Sequence, residues 1–250
     1  MADPFPLYLP PDAPRLFQTE SLLRRMAQSA AWDQDSQLLE LYGSLGGLAL
    51  ARALGCRVTV VEPDAKVLEQ LQERARIAGV LEKVTFIQGD VLTTATPSGL
   101  SGIFTFSRVL GLPAPLARDY RPRLAERGRL GFLCLVKAGR NQAPAVVEGW
   151  EQRLGSPLLL PRDVLLAVER EGYEPDLIET VGETELDEFY ETLAKLLQRD
   201  GAAEGPGPSA LKAELALHQA QGGHTGVTLA YVLARRKEPG EKPPLSRDSG

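Results

Sequence analysis

Two acidic residues and a group of glycines have the spacing of a site for a nucleotide-like ligand. Gly43, Gly46 and Gly47 follow an apolar stretch that contains Glu40, and a second apolar stretch ends in Glu62. A glycine turn after a strand lets the backbone approach a ligand and directs helix N–H groups at it. An acid at the end of the next strand, about 20 residues further on, accepts hydrogen bonds from ribose hydroxyls. The pattern therefore predicts a cofactor site with a ribose.

The glycine spacing excludes a nicotinamide dinucleotide fingerprint. That fingerprint needs glycines at positions i, i+2 and i+5 of the turn. Counted from Gly43, the two later positions are Leu45 and Leu48.

The run Glu40-Leu41-Tyr42-Gly43-Ser44-Leu45-Gly46 resembles the first motif of class I S-adenosylmethionine-dependent methyltransferases, an acid-x-Gly-x-Gly-x-Gly pattern. The resemblance to the small-molecule members of this family extends over residues 36–140. It implies that Glu62 binds the ribose and that Asp90 binds the adenine amino group. The cofactor-binding residues that it implies are Glu40, Tyr42, Gly43, Ser44, Gly46, Glu62, Pro63, Gly89, Asp90, Val91 and Ser107.

Tyr42 and Ser44 stand where the family motif has its first two glycines. Some members, such as RNA 5-methyluridine methyltransferases, look similar in having an aromatic residue at the first position. If the second position requires a positive φ, Ser44 costs about 1–2 kcal/mol, or about tenfold in affinity. On this interpretation Ser44→Gly keeps or improves cofactor affinity. The alternative is a strand-to-helix turn that only packs against the sheet.

Methyl transfer from a sulfonium is an in-line displacement that needs an aligned nucleophile and, for some acceptors, a base. Arg108 follows the fourth predicted strand and could hold an acidic group, or be a solvated strand-end arginine. His224 lies among glycines and could act as a base, or lie in a surface turn. His218 is expected to be exposed. The catalytic residue stays open, and no metal site is expected, since Cys56 and Cys134 lack ligand spacing.

The text after the fourth strand, TFSRVLGLPAP, bears on the substrate class. It lacks the Asn/Asp-Pro-Pro-aromatic motif of amino-methylating nucleic-acid enzymes and looks more like small-molecule methyltransferases. A net charge of −5 also argues against nucleic acid. We expect a small-molecule substrate, and a homodimer is one possible assembly.

Strands alternate with helices from residue 36 onward, which predicts a Rossmann-like α/β fold. The expected architecture is a seven-stranded, mostly parallel sheet with helices on both faces and a small helical lid. The expected parts are an N-terminal arm and helix (1–35), the methyltransferase-like domain (36–238), its helical insertion (about 185–223) and a disordered tail (239–250). The apolar stripe of the insertion is either core or ligand wall: Phe189, Tyr190, Leu193, Leu196 and Leu197.

No signal peptide and no apolar run of about 20 residues is present, so a cytoplasmic protein is expected. Two functions remain open. One is S-adenosylmethionine-dependent methyl transfer to an O, N or C atom of a small molecule. The other is a degenerate, non-catalytic methyltransferase fold that serves as a binding or assembly module.

Overall fold

A computed structural model describes residues 7–8, 20–138, 144–199, 212–213, 215–216, 218–219 and 226–238. The strands are β1 Leu7–Tyr8, β2 Gln37–Leu41, β3 Arg57–Glu62, β4 Val84–Gln88, β5 Leu100–Leu110, β6 Leu124–Lys137, β7 Tyr173–Thr180 and β8 Val227–Arg236. The helices are α1 Glu20–Ala30, α2 Leu45–Leu54, α3 Ala65–Ile77, α4 Ala114–Tyr120, α5 Pro144–Leu154, α6 Pro161–Arg170 and α7 Glu183–Arg199. The described residues between 212 and 219 are also helical.

The main sheet has the order β4-β3-β2-β5-β6-β8-β7. Strands β2 to β6 run parallel, and β8 is antiparallel to both β6 and β7. The predicted seven-stranded, mostly parallel sheet is therefore confirmed. Its strands are apolar on both sides because two separate hydrophobic clusters cover the two faces.

The two clusters divide the helices between the faces of the sheet. The larger cluster includes Met26 of α1, Leu71 of α3 and Trp150 of α5. The smaller one includes Tyr120 of α4 and Val164 of α6. Helices on both faces are thus confirmed, and the carboxyl edge of the sheet stays available for loops. Among the helices of the described ranges, none has the length and apolarity needed to cross a bilayer.

The N-terminal arm contains a strand that the sequence did not predict. Leu7 and Tyr8 pair antiparallel with Val109 and Arg108 of β5. Since β6 already pairs with β5 at Val109, β1 must take the other side of β5. On that side β5 pairs with β2 only as far as Glu40. Strand β1 therefore lies beyond the end of β2, at the carboxyl edge of the sheet.

One predicted boundary is wrong. The sequence of residues 115–128 predicts one continuous helix. In the structure α4 ends at Tyr120 and β6 begins at Leu124. Pro122 explains the break, because it lacks the N–H donor that would continue the α-helical hydrogen bonds, although Arg121 before it keeps helical backbone angles. A single 3-10 turn, Arg121–Arg123, connects the two elements.

Candidate cofactor site

The predicted cofactor residues come together at the carboxyl ends of four neighbouring strands. The loop after β2 carries the glycines, Glu62 ends β3, Asp90 follows β4 and Ser107 lies near the end of β5. The next strand in sequence, β3, lies on one side of β2, and β5 lies on the other side. This is the topological switch point of the sheet, where open α/β folds bind their ligands.

In the loop after β2, the backbone conformation is unusual at Tyr42 and ordinary at Ser44. Tyr42 has a φ of +57°, in the left-handed region that an L side chain rarely adopts. Its N–H donates to the Val61 carbonyl at 2.9 Å, and its carbonyl accepts from the Ser107 hydroxyl at 2.6 Å. These bonds to two neighbouring strands hold the strained turn in place.

Ser44 has an extended backbone, with φ −139° and ψ −178°, so the expected cost of a positive φ there is wrong. Its position is the N-cap of α2, for which serine is among the preferred residues. The Ser44 Oγ accepts from the Gly46 N–H at 3.0 Å and donates to Oε1 of Glu40. Ser44 therefore makes two side-chain hydrogen bonds that glycine would lack.

Replacing Ser44 should consequently lower stability. We expect Ser44→Ala to lose about 1–2 kcal/mol of unfolding free energy, because one cap and one buried hydrogen bond disappear. Ser44→Gly should lose less, since glycine is a tolerated cap. Urea unfolding of both variants checks this, with the exposed Ser98→Ala as the control. A Ser44→Gly variant more stable than the wild type would contradict the assignment.

The loop glycines are required by close packing inside the protein. A Cβ on Gly43 would lie 2.3 Å from Cδ1 of Leu71, and one on Gly47 would lie 2.4 Å from Oε2 of Glu40. A Cβ on Gly46 would lie 2.9 Å from Cδ2 of Phe106. The loop is thus pressed against its own sheet and against α3. The sequence pattern identified these glycines, but it attributed them to the approach of a ligand.

Glu62 anchors the loop to the end of β3. Its Oε2 accepts from the Gly43 N–H at 3.0 Å, and its Oε1 accepts from the Asp64 N–H at 2.9 Å. The residue is 3% exposed. A carboxylate oxygen can accept more than one hydrogen bond, so these backbone contacts are compatible with a ribose diol. Pro63, the next residue, is exposed.

Asp90 organises the turn after β4. Its Oδ1 accepts from the N–H groups of Leu92 and Thr93 at 2.9 and 3.0 Å, and from the Thr93 hydroxyl at 3.3 Å. Asp90 is exposed, and its Oδ2 makes no hydrogen bond to the described residues. Val91 is fully buried, and its carbonyl accepts from the Tyr120 hydroxyl. Gly89 joins this turn to β3, because its N–H donates to the Glu62 carbonyl at 3.2 Å.

Glu40 lies beneath the loop and is fully buried. Its Oε1 contacts the Ser44 hydroxyl, whereas Oε2 faces Gly47 and makes no hydrogen bond of ordinary geometry. Burial raises the pKa of Glu40 to about 8, and the negative charge of Glu62 adds to the increase. Contacts with Ser44 and the Gly47 amide act in the opposite direction but are outweighed. Glu40 therefore contacts the loop from beneath, and its role in cofactor binding stays a prediction.

The structure describes the side chain of neither predicted catalytic candidate. For Arg108 the structure describes the backbone, which pairs with Tyr8. His224 lies outside the described residues. Ser107 is 4% exposed and has the structural role of holding the Tyr42 carbonyl.

The insertion between β7 and β8 contains a cluster that the sequence did not reveal. His218 was expected to be exposed, but it is 8% exposed, stacks on the Tyr190 ring at 4.0 Å and lies 2.9 Å from Oδ1 of Asp187. Phe189 and Tyr190 belong to the larger hydrophobic cluster, which favours the core interpretation of that stripe. No local pattern links residues this far apart in sequence.

The His218 cluster should make the insertion sensitive to acid. Burial lowers the pKa of His218 below its usual value, although Asp187 acts in the opposite direction. A depressed folded-state pKa means that stability is present at neutral pH and is lost as pH falls through that pKa. The stability advantage of the wild type over His218→Gln should therefore shrink between about pH 7.5 and 5. Thermal melting at both pH values checks this, and an advantage that grows on acidification would contradict it.

Comparison with known proteins identifies the fold. No protein-family model and no curated protein matches the sequence. A methyltransferase from Thiobacillus denitrificans in complex with S-adenosylhomocysteine matches with a TM-score of 0.69 at 15% identity, covering 88% of this chain and 92% of that chain. The protein has the fold of S-adenosylmethionine-dependent methyltransferases.

Two further solved structures show how widely this fold is used. A geranyl diphosphate C-methyltransferase from Streptomyces coelicolor A3(2), bound to Mg²⁺, geranyl diphosphate and S-adenosylhomocysteine, matches with a TM-score of 0.60 at 15% identity, covering 86% of this chain and 80% of that chain. The [4+2]-cyclase SpnF matches with a TM-score of 0.69 at 19% identity, covering 93% of this chain and 86% of that chain. The fold is shared by proteins of different activity, so function must be argued from the site.

Proposed function

We propose that the protein transfers a methyl group from S-adenosylmethionine to an O, N or C atom of a small molecule. The observation that carries the proposal is the placement of two acids at the ends of adjacent strands, beside a glycine loop. Glu62 ends β3 and Asp90 follows β4, at the carboxyl edge beside the switch point between β2 and β5.

The residues of the site fit this cofactor. The Oδ2 of Asp90 makes no hydrogen bond to the described residues and suits an adenine amino donor. The Glu62 carboxylate suits the two ribose hydroxyls, since it is a hydrogen-bond acceptor at the end of β3. Helix α2 begins directly after the loop that Glu62 holds through the Gly43 N–H. When bound, S-adenosylmethionine supplies the electrophilic methyl group.

The chain's own contribution to the reaction is alignment and exclusion of water. Strand β1 lies beside β5, past the end of β2, and so covers the edge next to the loop. Strand β7 ends and β8 begins at this same carboxyl edge, so the insertion that contains α7 also emerges there. We infer that these two segments enclose the acceptor between them, as lids of α/β enzymes do.

The competing function is a non-catalytic binding module. It is favoured by the burial of Glu62, whose two oxygens already accept bonds from the backbone. Calorimetry with S-adenosylmethionine and S-adenosylhomocysteine on the purified protein separates the two functions. The proposal expects saturable binding of both ligands at micromolar to millimolar concentration. No heat of binding for either ligand at millimolar concentration would favour the module.

A further inference from the structure

The amino edge of the sheet, where the parallel strands begin, is rich in arginine. Strands β6 and β7 begin there, and the antiparallel β8 ends there. Several arginines at this edge are neutralised by an acid on a neighbouring element. Such pairs are Arg118–Glu171, Arg129–Asp176 and Arg235–Glu174. Arg121 and Arg236 differ, because no carboxylate of the described residues lies within ion-pair distance of either side chain.

The side chains of Arg121 and Arg236 approach one corner, where Gly172 leads into β7. A Cβ on Gly172 would lie 2.7 Å from Nε and 3.1 Å from Cζ of Arg121, so this guanidinium lies directly over the glycine. Tyr173, the next residue, pairs with Arg236 across β7 and β8. Directly opposed residues of an antiparallel pair project their side chains from the same face, with Cβ atoms about 5 Å apart. The two arginines therefore meet at two consecutive residues of the chain.

Electrostatics at this corner agree with that placement. Burial raises the pKa of the Tyr173 phenol, and the positive charges of both arginines act in the opposite direction. The Tyr173 hydroxyl donates to the Ala117 carbonyl at 2.9 Å, so it is no counter-ion. Glu171 is the acid next in sequence, but both of its oxygens accept from Arg118, at 2.7 and 3.1 Å. The two positive charges thus lack an anion among the described residues.

The donors of the two guanidinium groups are only partly used. Arg236 donates from Nη1 to the Leu124 carbonyl, whereas the Arg121 side chain makes no hydrogen bond within the described ranges. The Nε atoms of both are buried and without a partner. Positive charges held side by side repel each other, and a buried donor without an acceptor costs free energy. An anion bound between the two groups would offset the repulsion and accept from their free donors.

We propose that this corner is an anion site for the phosphate group of a small molecule, held by the guanidinium groups of Arg121 and Arg236. Arginine presents its N–H donors in a planar fork that matches two phosphate oxygens at once. A phosphate carries about 1.5 to 2 negative charges at neutral pH, which balances two guanidinium groups. The corner lies at the edge opposite the cofactor loop, so this inference does not depend on the function proposed above.

Titration with inorganic phosphate at constant ionic strength tests the site directly. The amide resonances of Gly172, Tyr173 and Lys237 are followed by NMR at neutral pH. In the wild type they should shift saturably, with a dissociation constant in the millimolar range or below. Arg121→Gln should weaken binding by at least about tenfold, whereas Arg162→Gln, which removes an exposed arginine of α6, should not. Shifts that do not saturate, or that Arg121→Gln leaves unchanged, would overturn the proposal.

Thermal unfolding gives a second readout, which also covers Arg236. Millimolar phosphate in place of chloride should raise the melting temperature of the wild type, because the ligand binds only the folded protein. The rise should be absent from Arg121→Gln and from Arg236→Gln. Since Arg236→Gln also loses its contact with Leu124, only the phosphate-dependent change is compared for each protein. An equal rise in all three proteins would contradict the site.

Two further probes determine the class of the ligand. Glycerol 3-phosphate that binds more tightly than inorganic phosphate would show that the site takes the phosphate of a larger molecule, and equal affinity would show that it takes the free ion. Acetate, which carries a single charge, should bind at least about tenfold more weakly than phosphate. Acetate that binds as tightly as phosphate would overturn the assignment to a phosphate group.

Discussion

Replacement of Glu62 by alanine is expected to weaken binding of S-adenosylhomocysteine by about 1.5–3 kcal/mol, or roughly 10- to 150-fold. The reason is twofold. The ribose hydroxyls lose a charged acceptor, and the N–H groups of Gly43 and Asp64 lose the partner that fixes the loop. The effect should therefore exceed that of removing a ligand contact alone.

Calorimetry on matched variants checks the expectation for Glu62. Glu69→Ala removes an exposed acid from α3 and should leave the affinity unchanged. Glu62→Gln should also bind weakly, because the amide replaces one acceptor oxygen by a donor that would face a backbone N–H. An affinity in Glu62→Ala within twofold of the wild type would show that the ribose lies elsewhere.

Gly43→Ala should disrupt the loop by overpacking. The added Cβ would lie 2.3 Å from Cδ1 of Leu71 and 2.9 Å from Cγ1 of Val60, both of which are buried. Overpacking of this kind costs about 1–3 kcal/mol of unfolding free energy. The loop moves away from Glu62 in relieving the clash, so ligand affinity should fall by more than about tenfold.

Two further variants test whether the clash at Gly43 is the cause of the effect. Gly182→Ala places a Cβ in open space and should change neither stability nor affinity. The double variant Gly43→Ala with Leu71→Ala removes the nearer clash and should recover part of the ligand affinity, although Leu71→Ala leaves a cavity of its own. A double variant that binds no better than Gly43→Ala would show that the clash is not the cause.

The sequence predicted the centre of the fold because local signals and packing agree there. Apolar strands β2 and β3, the glycine turn and a helix that ends at Gly55 follow one another without gaps. Strand β1 was not predictable in this way. It has two residues, and its pairing with Arg108 and Val109 joins positions a hundred residues apart.

The sequence predicted where the loop and its acids lie, but not the contacts that hold them in place. Ser44 directly before a helix is a recognisable N-cap, so its extended backbone could have been anticipated. The left-handed Tyr42 could not, because its φ is imposed by bonds to Val61 and Ser107 on other strands. The burial of His218 likewise depends on contacts with α7 that no local pattern records.

The central claim is that S-adenosylmethionine binds where β2, β3 and β4 end. Peptide-resolved hydrogen exchange with and without saturating S-adenosylhomocysteine tests it most directly. The account predicts slower exchange in the loops at 42–47, 62–64 and 89–93. No protection at millimolar ligand would contradict it. So would protection confined to a cavity of about 480 Å³ between α1 and α2, which is lined by Leu23, Trp32 and Leu50.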